Sequence, residues 1–161
     1  MPSLLDTEDF DVSWFNVYGR IYVPVFLIPN LVFAMRCKDG FVNRWQNKTV
    51  ETLEQIGRFG CFLFMIVQIP GTVFQPWSDT AWKLYFLLDT VFALAYCTIW
   101  IVCFRKSAVF RALVLSILPS LLFLASGILT RSIFLIAAAC LFAPTHILLS
   151  YKNAAAERMG K

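Results

Sequence analysis

Apolar side chains run almost uninterrupted through five stretches of this chain, and the polar positions gather between them instead of alternating with them. The stretches cover about 18–35, 56–75, 82–104, 109–128 and 132–151. Each meets the ~18-residue threshold for a membrane helix, since a rise of ~1.5 Å per residue needs ~20 residues to cross ~30 Å of hydrocarbon. The pattern predicts an all-α, polytopic transmembrane bundle of five spans, one membrane domain over residues 1–161. The first stretch carries Arg20, Pro24, Pro29 and Asn30, which are costly in lipid unless covered by protein. Four spans with an interfacial N-terminal segment is the alternative.

A different pattern occupies the one sizeable connection. Val42, Trp45, Val50, Leu53 and Ile56 recur at helical spacing, with Asn43, Arg44, Asn47, Lys48, Glu51, Glu54 and Gln55 on the other face. This predicts an interfacial helix over about 41–55, with Glu54 pairing with Arg58 one turn later. A kink is expected in the second span at Pro70-Gly71.

Composition strengthens the membrane reading. Of 161 residues, 59% are hydrophobic and 15% charged, against about 45–50% and about 25% in soluble domains. No room is left for a soluble catalytic domain. The acidic start "MPSLLDTEDFDVSWF" lacks the positive n-region of a removable signal peptide. The five cysteines form no CxxC pair and read as reduced packing residues.

Charge then sets the threading. Arg36, Lys38, Arg44, Lys48, Arg105, Lys106, Arg111, Lys152, Arg158 and Lys161 fall on one side of a five-span chain, and Lys83 and Arg131 on the other, with Arg20 just inside that edge. By the excess of Lys and Arg in cytoplasmic loops, the N-terminus is expected outside and the C-terminus in the cytoplasm of a multi-pass cell-membrane protein. The Asn47-Lys48-Thr49 sequon should then be silent. The net charge of +4 reflects threading, and no nucleic-acid partner is expected.

Polar or small stripes mark the faces that look inward. Cys61, Met65, Gln68, Thr72 and Gln75 line the second span, and Trp82, Tyr85, Asp89, Phe92, Tyr96, Trp100 and Cys103 share a face of the third. Ala112, Ser116 and Ser120 form a small-residue ladder on the fourth, suited to a homodimer or a membrane partner. Ser132, Ala139, Ala143, His146 and Ser150 align on the fifth.

Asp89 is the sharpest signal. It lies roughly 6 Å from its span's midpoint at ~1.5 Å per residue, where an acid costs about 2.5–3.5 kcal/mol on insertion scales. Two readings stay open: an ion pair with Arg20 that locks two helices, or a group held by Tyr85 and Gln68 that binds a proton or ligand. His146, the only histidine, lies with Arg58 and Asn30 at comparable depth and reads as a core residue or as part of an inner-vestibule polar cluster. No metal site and no cofactor are expected, because the chain offers one inward carboxylate and one histidine.

No GxSxG, HExxH, Walker loop, Rossmann glycine pattern or internal repeat appears. The segments "IPNLVFAMRCKDGFVNRWQNKTVETLEQIGRFGCFLFMI", "WIVCFRKSAVFRAL" and "FAPTHILLSYKNA" resemble a family of small bacterial multi-span membrane proteins of unknown function. That resemblance implies no activity or site residues. In size and span count the chain is also similar to the tryptophan-rich sensory/translocator proteins, whose aromatic motifs it lacks.

The resulting expectation is binding or transport of a small amphipathic or apolar molecule in an intramembrane pocket lined by Tyr22, Gln68, Tyr85, Asp89, Tyr96 and Trp100. Its alternative is a non-catalytic accessory or assembly subunit of a membrane complex. A lipid-modifying enzyme using His146, Arg58 and Glu54 ranks third, and a non-enzyme is preferred.

Overall fold

The computed structural model describes residues 14–36, 44–69, 71–73, 78–103 and 109–159, with Ala34 described by its backbone alone. Among these residues five helices follow in order: α1 (Val17–Arg36), α2 (Lys48–Ile66), α3 (Asp79–Val102), α4 (Val109–Leu129) and α5 (Ile133–Met159). Among the described residues α3, α4 and α5 are long and apolar enough to cross a membrane, and α1 is apolar over the shorter stretch Val17–Phe33. The chain is an all-helical bundle and a membrane protein.

Local chemistry explains most boundaries. Asn16 starts α1 by accepting the backbone N–H groups of Tyr18 (3.0 Å) and Gly19 (3.2 Å), as an N-cap does. Ser78 caps α3 through Ala81 N–H at 3.2 Å. Asn47 caps α2 reciprocally, its side chain accepting Val50 N–H (3.2 Å) while its own N–H donates to Glu51 (3.1 Å). Between α4 and α5 the chain turns through Arg131 at φ 52°.

The second helix departs from expectation. A separate interfacial helix over 41–55 followed by a span over 56–75 is replaced by one helix, Lys48–Ile66. Residues 44–47 are not helical, and 41–43 lie outside the described residues, as do Pro70 and 74–77. The helix ends early because Val67 turns extended and pairs with Phe15 in an antiparallel bridge. Asn16 N–H donates to the Ile66 carbonyl (2.8 Å) and Gln68 N–H to the Trp14 carbonyl (2.9 Å). The expected kink is therefore a helix end, completed by Gly71 at φ 84°, a left-handed conformation that glycine adopts without strain. Gln68 and Thr72 consequently share no helix face with Cys61 and Met65.

A second bridge joins Val73 to Ser132, with Ile133 N–H donating to the Thr72 carbonyl at 3.1 Å. Together these contacts bring the starts of α1, α3 and α5 and the ends of α2 and α4 to one rim, called here the first rim. The opposite ends form the second rim. There Asn153, on the part of α5 that continues past the expected end at Tyr151, accepts Arg44 N–H (2.9 Å) and Trp45 N–H (2.8 Å).

Around the bundle, α5 packs on α2 and α4, α4 packs on α3, and α1 closes the ring between α3 and α2. Phe123 stands near its centre, its ring 5.7 Å from Phe62, 5.8 Å from Phe142 and 6.4 Å from Phe26. Helices α2 and α5 meet at Gly57, where a Cβ atom would lie 2.8 Å from the Phe142 backbone. On α3 Tyr85, Asp89, Tyr96 and Trp100 of the expected inward face are buried, while Leu84, Leu87, Val91 and Leu94 are exposed toward the bundle's surroundings. Two residues of the Ala112/Ser116/Ser120 ladder face into the bundle. Ser116 and Ser120 are buried and donate to the Leu113 and Ser116 carbonyls of their own helix, and Ala112 is half-buried.

Candidate functional site

Two clusters of buried polar side chains sit at different depths of the ring. The first is built on α3 and α4. Asp89 is 0% exposed, and the Ser126 hydroxyl lies 2.8 Å from its Oδ1 and 3.0 Å from its Oδ2. That hydroxyl is also 2.7 Å from the Leu122 carbonyl of its own helix. A hydroxyl carries one hydrogen, so three acceptor oxygens converge on a single donor. Among the described residues no cation is paired with Asp89.

One turn toward the first rim, buried Tyr85 accepts the Asn16 side-chain amide at 3.0 Å, and Trp82 stacks on its ring at 5.3 Å. The cap that Asn16 makes on α1 uses its Oδ1, which leaves Nδ2 aimed at Tyr85. Arg20 does not reach Asp89. It follows the buried Gly19 by one position and so points off the inward face, where its guanidinium lies 5.1 Å from the Phe15 ring centroid. The expected ion pair is thus replaced by a neutral donor from α4.

The remaining expected pocket residues disperse. The Tyr22 hydroxyl is 2.9 Å from Thr90 Oγ1, on the α1–α3 seam. Gln68 lies in the extended segment after α2, half-buried. Tyr96 and Trp100 sit further along α3, their rings 6.4 Å apart, and Trp100 packs on Phe33 at 4.8 Å. Phe26, 4.5 Å from the Tyr96 ring, and Phe123 fill the level between Asp89 and Tyr96. Tyr85 and Asp89 therefore belong to one site and Tyr96 and Trp100 to another level.

The second cluster joins α2 to α5 toward the second rim. Glu54 is 0% exposed. Its Oε1 accepts Arg58 Nε at 3.0 Å, Arg58 Nη2 and His146 Nδ1 at 2.9 Å. The His146 ring stacks on Phe142 at 4.5 Å. Glu54 Oε2, equally buried, has no hydrogen-bond partner among the described residues. Of the expected inner cluster, Arg58 and His146 meet, but through Glu54, while Asn30 donates to the Phe26 carbonyl at 3.0 Å.

Ser126 and Asn16 escape sequence reasoning. Ser126 lies out of phase with the Ala112/Ser116/Ser120 ladder and reads as one more small residue in "ASGIL". Asn16 precedes the apolar run, where a cap is visible but a second bond across the bundle is not. Comparison of the chain with protein-family models, with curated proteins and with solved structures finds no match.

Proposed function

We propose that this membrane protein binds, or helps move, a small amphipathic molecule between its helices, held at Asp89 by an amine or another hydrogen-bond donor. The single observation behind this reading is the donor deficit at Asp89: when it is ionised, two carboxylate oxygens and a carbonyl share one hydroxyl hydrogen at a fully buried position. Buried acceptors without donors are costly. A ligand N–H supplies the missing hydrogen, and an ammonium also offsets the carboxylate's charge. Trp82, Tyr85 and Phe86 offer aromatic surface for the apolar part, in the manner of sites that combine apolar walls with a few orienting polar groups.

In the same reading the bundle lies in the cell membrane with its first rim outward and its C-terminus in the cytoplasm. Arg36, Arg44, Lys48, Lys152 and Arg158 gather toward the second rim, which the positive-inside rule assigns to the cytoplasm.

The test is native mass spectrometry of the detergent-purified chain with octylamine, and with octanol as the uncharged control. The wild type is expected to retain the amine, and Asp89→Asn to lose it by about tenfold or more, the loss of one charged hydrogen bond. Equal retention of octylamine by a folded Asp89→Asn variant would overturn the proposal.

A further inference from the structure

The Glu54–Arg58–His146 cluster plays no part in binding at Asp89. Its hydrogen bonds are lopsided. Three N–H groups from two side chains converge on Glu54 Oε1, and none reaches Oε2. Such convergence is what an ionised carboxylate attracts. Arg58 is unbalanced in the opposite sense. Its Nε and Nη2 are taken by Glu54, whereas Nη1 makes no hydrogen bond among the described residues and the side chain is 34% exposed.

An acceptor that lacks a donor thus stands beside a donor edge that lacks an acceptor. A simple anion would satisfy Arg58 but meet the charge of Glu54 and leave Oε2 bare. A simple amine would satisfy Oε2 but leave the guanidinium edge open. The complement is one group that carries N–H donors and an oxyanion a few ångströms apart.

Position narrows the source. Glu54 is six residues into α2, about 9 Å from its start at ~1.5 Å per residue, close to the second rim. Arg58 is flanked on α2 by exposed Gln55 and half-buried Phe62, and the outer face of the helix beyond it is apolar and exposed at Ile56, Phe59 and Leu63. A membrane protein presents such a surface to lipid, and a polar edge within it meets headgroups before it meets solutes.

We infer that Glu54 and Arg58 form a binding site for the headgroup of an aminophospholipid, whose ammonium donates to Glu54 Oε2 and whose phosphate accepts from Arg58 Nη1. His146 is the positioning residue. Its Nδ1–H holds Oε1, and its stack on Phe142 fixes the ring, so the carboxylate keeps Oε2 toward the ligand. Arg58, partly exposed, swings to admit the ammonium. The site stands whether or not Asp89 holds an amine.

Phosphatidylethanolamine and phosphatidylcholine with identical acyl chains separate the two contacts, because both carry the phosphate and only the first carries N–H. In native mass spectrometry of the full chain with equal amounts of each, the wild type should retain the ethanolamine lipid about tenfold over the choline lipid, the scale of one charged hydrogen bond. Glu54→Gln should bring that preference to about one, and Arg58→Gln should weaken both lipids by a similar factor. Equal retention of both lipids by the wild type, or an undiminished preference in Glu54→Gln, overturns the inference. Competition on the wild type keeps it testable should a variant fail to fold. Soluble phosphoethanolamine should displace the ethanolamine lipid and phosphocholine should not; displacement by both, or by neither, overturns it.

Discussion

At the scale of single residues, both polar clusters are governed by how many hydrogens there are to share. Among the described residues Ser126 is the whole of the donor supply to Asp89. Ser126→Ala should therefore destabilise the bundle by about 1–3 kcal/mol, the cost of leaving a buried acceptor unmet. Reversible unfolding in mixed detergent measures it. Asp89→Asn, whose amide brings its own N–H, should lose less than Ser126→Ala in the same assay. Asn16→Ala should cost about 1–2 kcal/mol, because it removes a helix cap along with the bond to Tyr85. Asp89 was legible in the sequence since a carboxylate in an apolar run has no bland explanation on a lipid-facing surface. Its partner was not. Charge complementarity points to Arg20, but the phase of α1 turns Arg20 off the inward face, and which hydroxyl of α4 faces Asp89 depends on a helix rotation that periodicity does not fix.

At the scale of elements, the apolar runs located α1, α3 and α4 closely, because length and hydropathy are local properties. The second helix was misjudged at both ends for non-local reasons. Its start lies at the Asn47 cap instead of within a separate surface helix, and its end is set by strand-like pairing with residues 14–16, far away in sequence. Contact between helices is also a matter of single positions. A methyl group at Gly57 would press on the Phe142 backbone, which cannot rotate away as a side chain could. Gly57→Ala should cost about 1–3 kcal/mol by overpacking, and it should shift the α2–α5 pair on which Glu54 and His146 meet. At Gly71 the cause is different: nothing crowds its missing side chain, but φ is +84°. Gly71→Ala should cost about 1–2 kcal/mol from backbone strain alone, leaving lipid retention unchanged. Thermal unfolding of the two variants, read beside the lipid assay, separates packing from strain.

At the scale of the whole molecule, the ring order α1–α2–α5–α4–α3 lies beyond what the sequence states, since five apolar helices of similar length can neighbour one another in many ways. It emerges from small residues at the α2–α5 contact and from aromatic rings that converge on Phe123. The proposed orientation has a direct check: alkaline phosphatase fused after Lys161 should be inactive in cells, and a fluorescent protein fused there should fold and fluoresce.

The two main-chain bridges, Phe15 with Val67 and Val73 with Ser132, have a mechanical consequence. They lace α1 to α2, and the segment after α2 to α5, at one mouth of the bundle through peptide groups, whose bonding truncation of a side chain leaves in place. The second rim is tied instead through side chains, Asn153 holding the Arg44 and Trp45 N–H groups and Glu54 holding Arg58 and His146, so trimming single side chains can unfasten that mouth but not the other.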